Sequence, residues 1–305
     1  MEVLYALEAL RTPLLDRIMS LVTLLGGETV FLVIALFFFW CVDKNRGYYL
    51  MSVGFAGTIL NQFLKILCRI PRPWVLDPSF TIVESARSGA TGYSFPSGHT
   101  QNAVGTFGVI GSTTRRRWMK VLSYTLAVLI PFSRMYLGVH TPLDVGVSCI
   151  AAVALILLLR PVFYGRRSGE GQLYHLFALM AAVGLAFVLY LELYPFPADV
   201  DPENYRSAVE NGYTLLGAVL GVNAAHYVDC RFLRFDTKAP PAGQACKLAL
   251  GLVVVVLVME GLKGPLGALF GGHAAADALR YFLVVVTAGC LWPMTFPFFQ
   301  RLGGR

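Results

Sequence analysis

Lys65, Arg72, Ser97, Gly98, His99, Arg134, His140 and Asp144 fall within one 80-residue window of a chain otherwise sparing with charge. Such a set can bind a phosphate and move protons around it. Lys65 is followed by Arg69 and Arg72, and taken alone these cations could simply snorkel toward lipid headgroups. Pro71 and Pro73 change that balance, because they hold Arg72 in a rigid turn, and a rigidly held arginine suits bidentate recognition of a phosphate. Pro96-Ser97-Gly98-His99 reads as a helix start, with Ser97 as a preferred N-cap. The unpaired N–H groups of a helix N-terminus favour an anion, and Gly98 lets the backbone approach it. His99 then stands in the first turn, within reach of a leaving oxygen. Further on, Ser133-Arg134 closes one apolar stretch and His140 and Asp144 begin the next. Four residues apart, they share a face if helical, and a carboxylate on one imidazole nitrogen leaves the other free as nucleophile or base. A His–Asp pair of this kind is often only structural. Four such elements on one face argue otherwise.

The elements that position these residues are apolar. The 305 residues are 56% hydrophobic and 14% charged, with a mean hydropathy of +0.62, which marks a polytopic membrane protein, all-α in class. About nine segments are long enough to cross a bilayer: 28–42, 47–68, 97–114, 118–136, 142–160, 173–194, 211–229, 245–263 and 278–299. Three regions follow: 1–27, an interfacial N-terminal helix region; 28–169, a catalytic core; and 170–305, additional membrane helices of unknown role. Within the first, 12–22 is apolar at helical spacing with Asp16 and Arg17 opposite, and Gly26-Gly27 would end it. No cleavable signal peptide is expected.

The net charge of +7 is distributed by loop rather than gathered for nucleic acid. Lys44 and Arg46, Arg115, Arg116, Arg117 and Lys120, Arg160, Arg166 and Arg167, Arg231, Arg234 and Lys238, and Arg301 and Arg305 fall in alternate loops. With nine spans these share one side, which the positive-inside rule makes cytoplasmic. The opposite loops carry Asp199, Asp201, Glu203, Glu210 and the phosphate-type cluster, which therefore faces away from the cytoplasm. Six cysteines show no CxxC pair or disulfide spacing. A zinc site fits poorly, since only two imidazoles occur near cations that would repel a metal. No P-loop and no sign of an organic cofactor are present.

Lys65-x6-Arg72-Pro73, Pro96-Ser97-Gly98-His99 and Ser133-Arg134-x5-His140-x3-Asp144 resemble the three-part signature of the type 2 phosphatidic acid phosphatase superfamily. This superfamily includes lipid phosphate phosphatases, glucose-6-phosphatases and vanadate-dependent haloperoxidases. The resemblance covers about residues 12–165. It implies a six-helix phosphatase-type core and a metal-free mechanism with His140 as the nucleophile that becomes phosphohistidine. Asp144 would orient it, and His99 would protonate the leaving alkoxide and then activate water. Lys65, Arg72, Arg134, Ser97 and the Gly98 N–H would hold the non-bridging oxygens.

The expected activity is hydrolysis of a lipid phosphate or pyrophosphate in the membrane, with a homodimer left open. A phosphotransferase using the same phosphohistidine is the alternative, and a soluble sugar phosphate stays open as substrate. Haloperoxidases share the site residues but are soluble. A binding-only transporter or scramblase draws some support from Glu192, Glu260 and Lys263 in apolar segments, although it would have little need for both histidines. His226 and Asp229 could form a second site, with interfacial anchoring as the plainer reading.

Overall fold

The computed structural model describes residues 1–166, 168–198 and 200–302. Arg167, Asp199 and Arg305, assigned above to loops, lie outside the described residues. The chain is all-helical, with no strand among the described residues. The helices are α1 (Glu2–Glu8), α2 (Pro13–Leu24), α3 (Glu28–Phe37), α4 (Lys44–Cys68), α5 (Pro73–Leu76), α6 (Gly98–Thr113), α7 (Arg117–Tyr136), α8 (Pro142–Tyr164), α9 (Glu170–Leu193), α10 (Pro202–Val228), α11 (Pro241–Leu269), α12 (Ala275–Val286) and α13 (Phe296–Arg301). Helices occupy each of the nine predicted intervals. By length and composition, five stretches of the described chain can cross a membrane: Lys44–Leu76, Pro142–Tyr164, Glu170–Leu193, Pro241–Leu269 and Ala275–Arg301. A sixth is added if Pro13–Leu24 and Glu28–Val42 count as one broken span. The other three predicted intervals do not meet that measure. Helix α6 has 16 residues, α7 carries Arg117, Lys120 and Arg134, and α10 opens on Glu203, Arg206 and Glu210.

The chain divides into two compact units. The first comprises Met1–Leu32, Val53–Leu159 and Pro195–Ala208. Its centre is α6, buried almost throughout from Thr100 to Gly111. Small residues let it approach α4: a Cβ on Gly105 would lie 3.2 Å from Val53, and one on Gly57 would meet the Gln101 side chain at 2.3 Å. Small residues at such interfaces allow membrane helices to close on one another. Helix α2 starts on Thr12, whose side chain accepts from Leu15 N, and packs on α7. Helix α7 ends at Gly138, whose φ of +81° suits the left-handed cap that glycine adopts without strain. There Arg11 donates from Nε to Tyr136 O at 3.0 Å and from Nη1 to Thr81 O at 2.8 Å, tying the N-terminal helices to the long loop before α6. Beneath that loop, Ala86, Tyr136, Leu137 and Val139 form a small apolar core with Met19 and Trp74 against it.

The second unit comprises Val33–Ser52, Arg160–Tyr194 and Val209–Arg305. Three of its helices run into π-helical turns, Phe38–Val42, Asp229–Leu233 and Thr287–Leu291. The first and last are joined where Trp40 Nε1 donates to Ala288 O at 2.9 Å. Helices α10 and α12 approach through Gly217, where a Cβ would lie 2.0 Å from the Ala278 carbonyl oxygen. Asp229 is taken up by structure: Lys44 Nζ reaches it at 2.7 Å and Phe235 N donates to it at 3.1 Å. His226 is buried among the rings of Tyr48, Tyr174 and Phe177. Glu192 accepts from Tyr213 Oη at 3.1 Å.

Candidate active site

Four helix ends of the first unit supply the site. Lys65 lies in the last turn of α4, Ser97 caps α6, Arg134 lies in the last turn of α7 and Asp144 in the first turn of α8. Arg72 caps α5, directly before Pro73. All of these side chains are buried, as is His140 in the short α7–α8 connection, whereas Gly98 and His99 are half-buried.

The imidazole of His140 has a charged neighbour on each side. Its Nδ1 lies 3.5 Å from Asp144 Oδ2, and its Nε2 lies 3.0 Å from Nη1 of Arg72. A guanidinium cannot accept a hydrogen bond, so Nη1 donates and Nε2 is the unprotonated nitrogen. The proton then sits on Nδ1, facing the carboxylate. Burial first, and then the charges of Arg72, Arg134 and Lys65, push this imidazole well below its ordinary value. His140 is therefore neutral near pH 7, with its lone pair on Nε2.

Asp144 is fixed by three neighbours, of which Ser94 belongs to no motif in the sequence. Its Oδ2 accepts from Ser94 Oγ at 2.6 Å and from Thr141 N at 2.7 Å. Its carbonyl accepts from Ser97 N at 3.3 Å, which ties the start of α8 to the start of α6. Ser94 precedes the Pro96-Ser97-Gly98-His99 tetrad by only two residues, and that adjacency was the one signal available for it. Ser97 caps α6 by accepting from Thr100 N at 3.4 Å. No acceptor for the Gly98 and His99 N–H groups is found among the described residues, leaving two donors at the helix N-terminus.

The cations differ in what they have left to give. Arg72 spends its donors on carbonyls: Nε on Gly92 at 3.1 Å, Nη2 on Thr91 at 2.6 Å, and Nη1 on Val139 at 2.9 Å as well as on His140. Lys65 Nζ donates to the Tyr93 carbonyl. Gly92, at φ +67°, gives the loop a left-handed bend between Thr91 and Tyr93, whose carbonyls accept from Arg72 and Lys65. By contrast, Arg134 has buried Nε and Nη2 atoms that make no hydrogen bond among the described residues. Its Nη1 donates to Oγ1 of Thr23 at 2.9 Å. Thr23 was also passed over, since a lone threonine on an apolar helix carries no motif.

His99 lies within electrostatic range of Arg134, Arg72 and Lys65. Over the edge of its ring stands Gly89, where a Cβ would be 3.9 Å from Cε1. The eight residues singled out in the sequence thus come together at one end of the first unit. Among the described residues no group of three or more His, Cys, Asp or Glu side chains gathers as a metal centre would need. The arrangement can bind a multiply charged oxyanion, present a neutral imidazole lone pair to it and place a second imidazole nearby.

A family model described as the PAP2 superfamily matches residues 45–168, and one described as the PAP2 superfamily phosphatase transmembrane extension matches residues 213–304. Undecaprenyl-diphosphatase of Sulfolobus acidocaldarius is 32% identical over 133 residues, covering 43% of this chain and 62% of that protein. Undecaprenyl-diphosphatase BcrC of Bacillus subtilis is 26% identical over 144 residues, 46% of this chain and 71% of its own. Sphingosine-1-phosphate phosphatase 1 of Rattus norvegicus is 27% identical over 147 residues, 46% of this chain and 33% of its own. The chain thus spans less than two thirds of the first and last of these relatives. No solved structure matches it.

Proposed function

The chain belongs to the PAP2 superfamily, and from that premise we propose that it is a phosphatase acting on a lipid phosphate or diphosphate through a phosphohistidine on His140. It is an integral, multi-pass membrane protein. The observation that carries the reading is the state of His140: neutral, with Nδ1 toward Asp144, the Nε2 lone pair on Arg72 Nη1, and Arg134 and Lys65 within electrostatic range.

In the proposed reaction the non-bridging oxygens rest on Arg134 Nε and Nη2, on Lys65 and on the Gly98 and His99 N–H groups. Arg72 Nη1 turns from Nε2 to a phosphoryl oxygen as substrate binds. The negative charge of the bound phosphate offsets Arg134, Arg72 and Lys65 and lets His99 take up a proton. Nε2 then attacks phosphorus in line, the bond to the leaving oxygen breaks, and His99 gives that proton to the oxygen. Asp144 stabilises the positive charge that develops on His140. In the second step water attacks phosphorus, His99 takes its proton, and the P–N bond breaks to release inorganic phosphate and neutral His140. Positioning and charge stabilisation dominate such transfers, and three cations at fixed helix ends supply both.

A lipid substrate is supported by the surroundings and the relatives. Helix α2, which contributes Thr23 beside Arg134, exposes Leu14, Ile18, Leu21 and Leu24. The relatives described above are named for polyprenyl diphosphate and sphingoid phosphate substrates. The extracytoplasmic placement rests on charge: the site lies at the C-terminal end of α4 and the N-terminal end of α6, opposite the ends that carry Lys44, Arg46 and Arg115 to Arg117. Residues 28–169 are proposed to hold the chemistry and 170–305 to be additional membrane helices.

The test is phosphate release by detergent-purified protein from a panel of phosphatidic acid, sphingosine phosphate and polyprenyl diphosphate, in EDTA and with no added acceptor. Release that persists in EDTA, is lost in His140→Ala and leaves an acid-labile phosphoryl-enzyme on rapid quench is the expected result. Undiminished activity in His140→Ala would overturn the mechanism. Turnover only with an added alcohol acceptor would make the protein a phosphotransferase.

A further inference from the structure

The buried guanidinium of Arg134 has two different edges. Nη1 is engaged by Oγ1 of Thr23 at 2.9 Å, whereas Nε and Nη2 are buried without a hydrogen bond among the described residues. The N–H bonds of Nε and Nη2 run parallel along one edge, the geometry that matches two oxygens of a phosphate. An arginine on a flexible stem can present more than one edge. An acceptor on Nη1 fixes the plane and selects which edge faces the anion.

Thr23 is 5% exposed and sits in the last turns of α2, which packs on α7. Just beyond that helix, Gly26 lies against His99 and Ile130. A Cβ there would lie 3.0 Å from the His99 carbonyl oxygen and 2.7 Å from Cγ2 of Ile130. Both residues precede position 45, where the family match begins. Helix α2 and the turn after it are thus packed against an arginine and a histidine of the site, and a side chain of α2 is bonded to the arginine.

Resting on the phosphatase reading above, we propose that Thr23 is a positioning residue. By accepting from Nη1 it aims the Nε–Nη2 edge of Arg134 at the phosphoryl group. It touches neither substrate nor reacting atoms, and acts through Arg134 alone.

Orthovanadate, as a phosphoryl analogue, provides the probe on the full chain in detergent. Thr23→Val keeps the shape and removes the acceptor. Loss of a hydrogen bond to a charged group should weaken vanadate binding by about tenfold and lower kcat/KM for phosphate release by about the same factor. Thr23→Ser should stay within about twofold of the wild type, since the hydroxyl is retained. In an Arg134→Lys background, which has no guanidinium edge to aim, Thr23→Val should cause no further loss. Thr23→Ala supplies the same comparison if valine lowers the melting temperature.

Wild-type vanadate affinity in Thr23→Val would overturn the assignment. So would an equal loss in the Arg134→Lys background, because a merely structural threonine acts independently of Arg134. If the wild type binds vanadate yet releases no phosphate from any lipid, the phosphatase reading fails. The vanadate comparison then still decides the role of Thr23.

Discussion

In the proposed mechanism Asp144 orients His140, which requires that its own carboxylate be held, and Ser94 Oγ at 2.6 Å is one of its two closest donors. Ser94→Ala should lower kcat by about tenfold with little change in KM, because the loss falls on an orienting bond. Asp144→Asn should cost about a thousandfold or more, since an amide cannot stabilise the developing imidazolium. Steady-state kinetics on both variants checks this, and wild-type kcat in Ser94→Ala would remove the serine from the account. In the proposed mechanism His140 also sets a pH dependence. Its reactive form is neutral, and its depressed value keeps that form populated below the ordinary imidazole range of about 6.5. The acid limb of kcat/KM, which reports groups of the free enzyme, should therefore fall below about pH 6.5 once substrate ionisation is allowed for. A limb centred at or above that value would mean that His140 is not the group that must stay neutral. At this scale the motif side chains were legible because their types and spacing are unusual in an apolar chain. Ser94 and Thr23 were not, being ordinary residues whose partners lie 50 and 111 positions away.

At the scale of elements, the start of α6 is where stability and chemistry meet. Ser97 caps the helix with its side chain and binds the α8 start with its backbone N–H. Ser97→Ala should destabilise by about 1 kcal/mol through the lost cap and also weaken vanadate binding, because the first turn frays where its N–H groups are needed. A thermal melt run with and without vanadate separates the two effects, and an unchanged melt would show that the cap contributes nothing. In the second unit, α10 and α12 meet backbone to backbone at Gly217. Gly217→Val should cost about 1–3 kcal/mol by overpacking, read as a lowered melting temperature in detergent. No change there would mean that the two helices do not close at that glycine. The α2 and α6 starts were legible from Thr12-Pro13 and Pro96-Ser97. Which faces the helices bury was not, because a helix apolar on most sides has no unique inward stripe.

For the whole molecule, the alternation of basic and acidic loops predicts which side the site faces. In a background with the native cysteines replaced, Arg87→Cys in the loop before α6 should label with an impermeant maleimide in intact cells. Arg116→Cys in the α6–α7 turn should label only after permeabilisation. Both positions are exposed, so access to reagent decides the result. The opposite pattern would invert the topology and put the site on the cytoplasmic side.

The sequence by itself determined an all-helical membrane chain, the positions of its helices and a set of residues suited to phosphoryl chemistry. These follow from local properties: runs of apolar residues, caps and prolines at helix starts, and charged groups too costly near hydrocarbon to be incidental. Only the tertiary structure decided which donors of those residues are spent and which are left. Arg72 turns its donors to the loop carbonyls and His140, whereas Arg134 keeps an open edge because a threonine from α2 holds its other nitrogen. A side chain's free valence depends on what packs beside it, and those partners come from distant stretches whose approach no local pattern encodes.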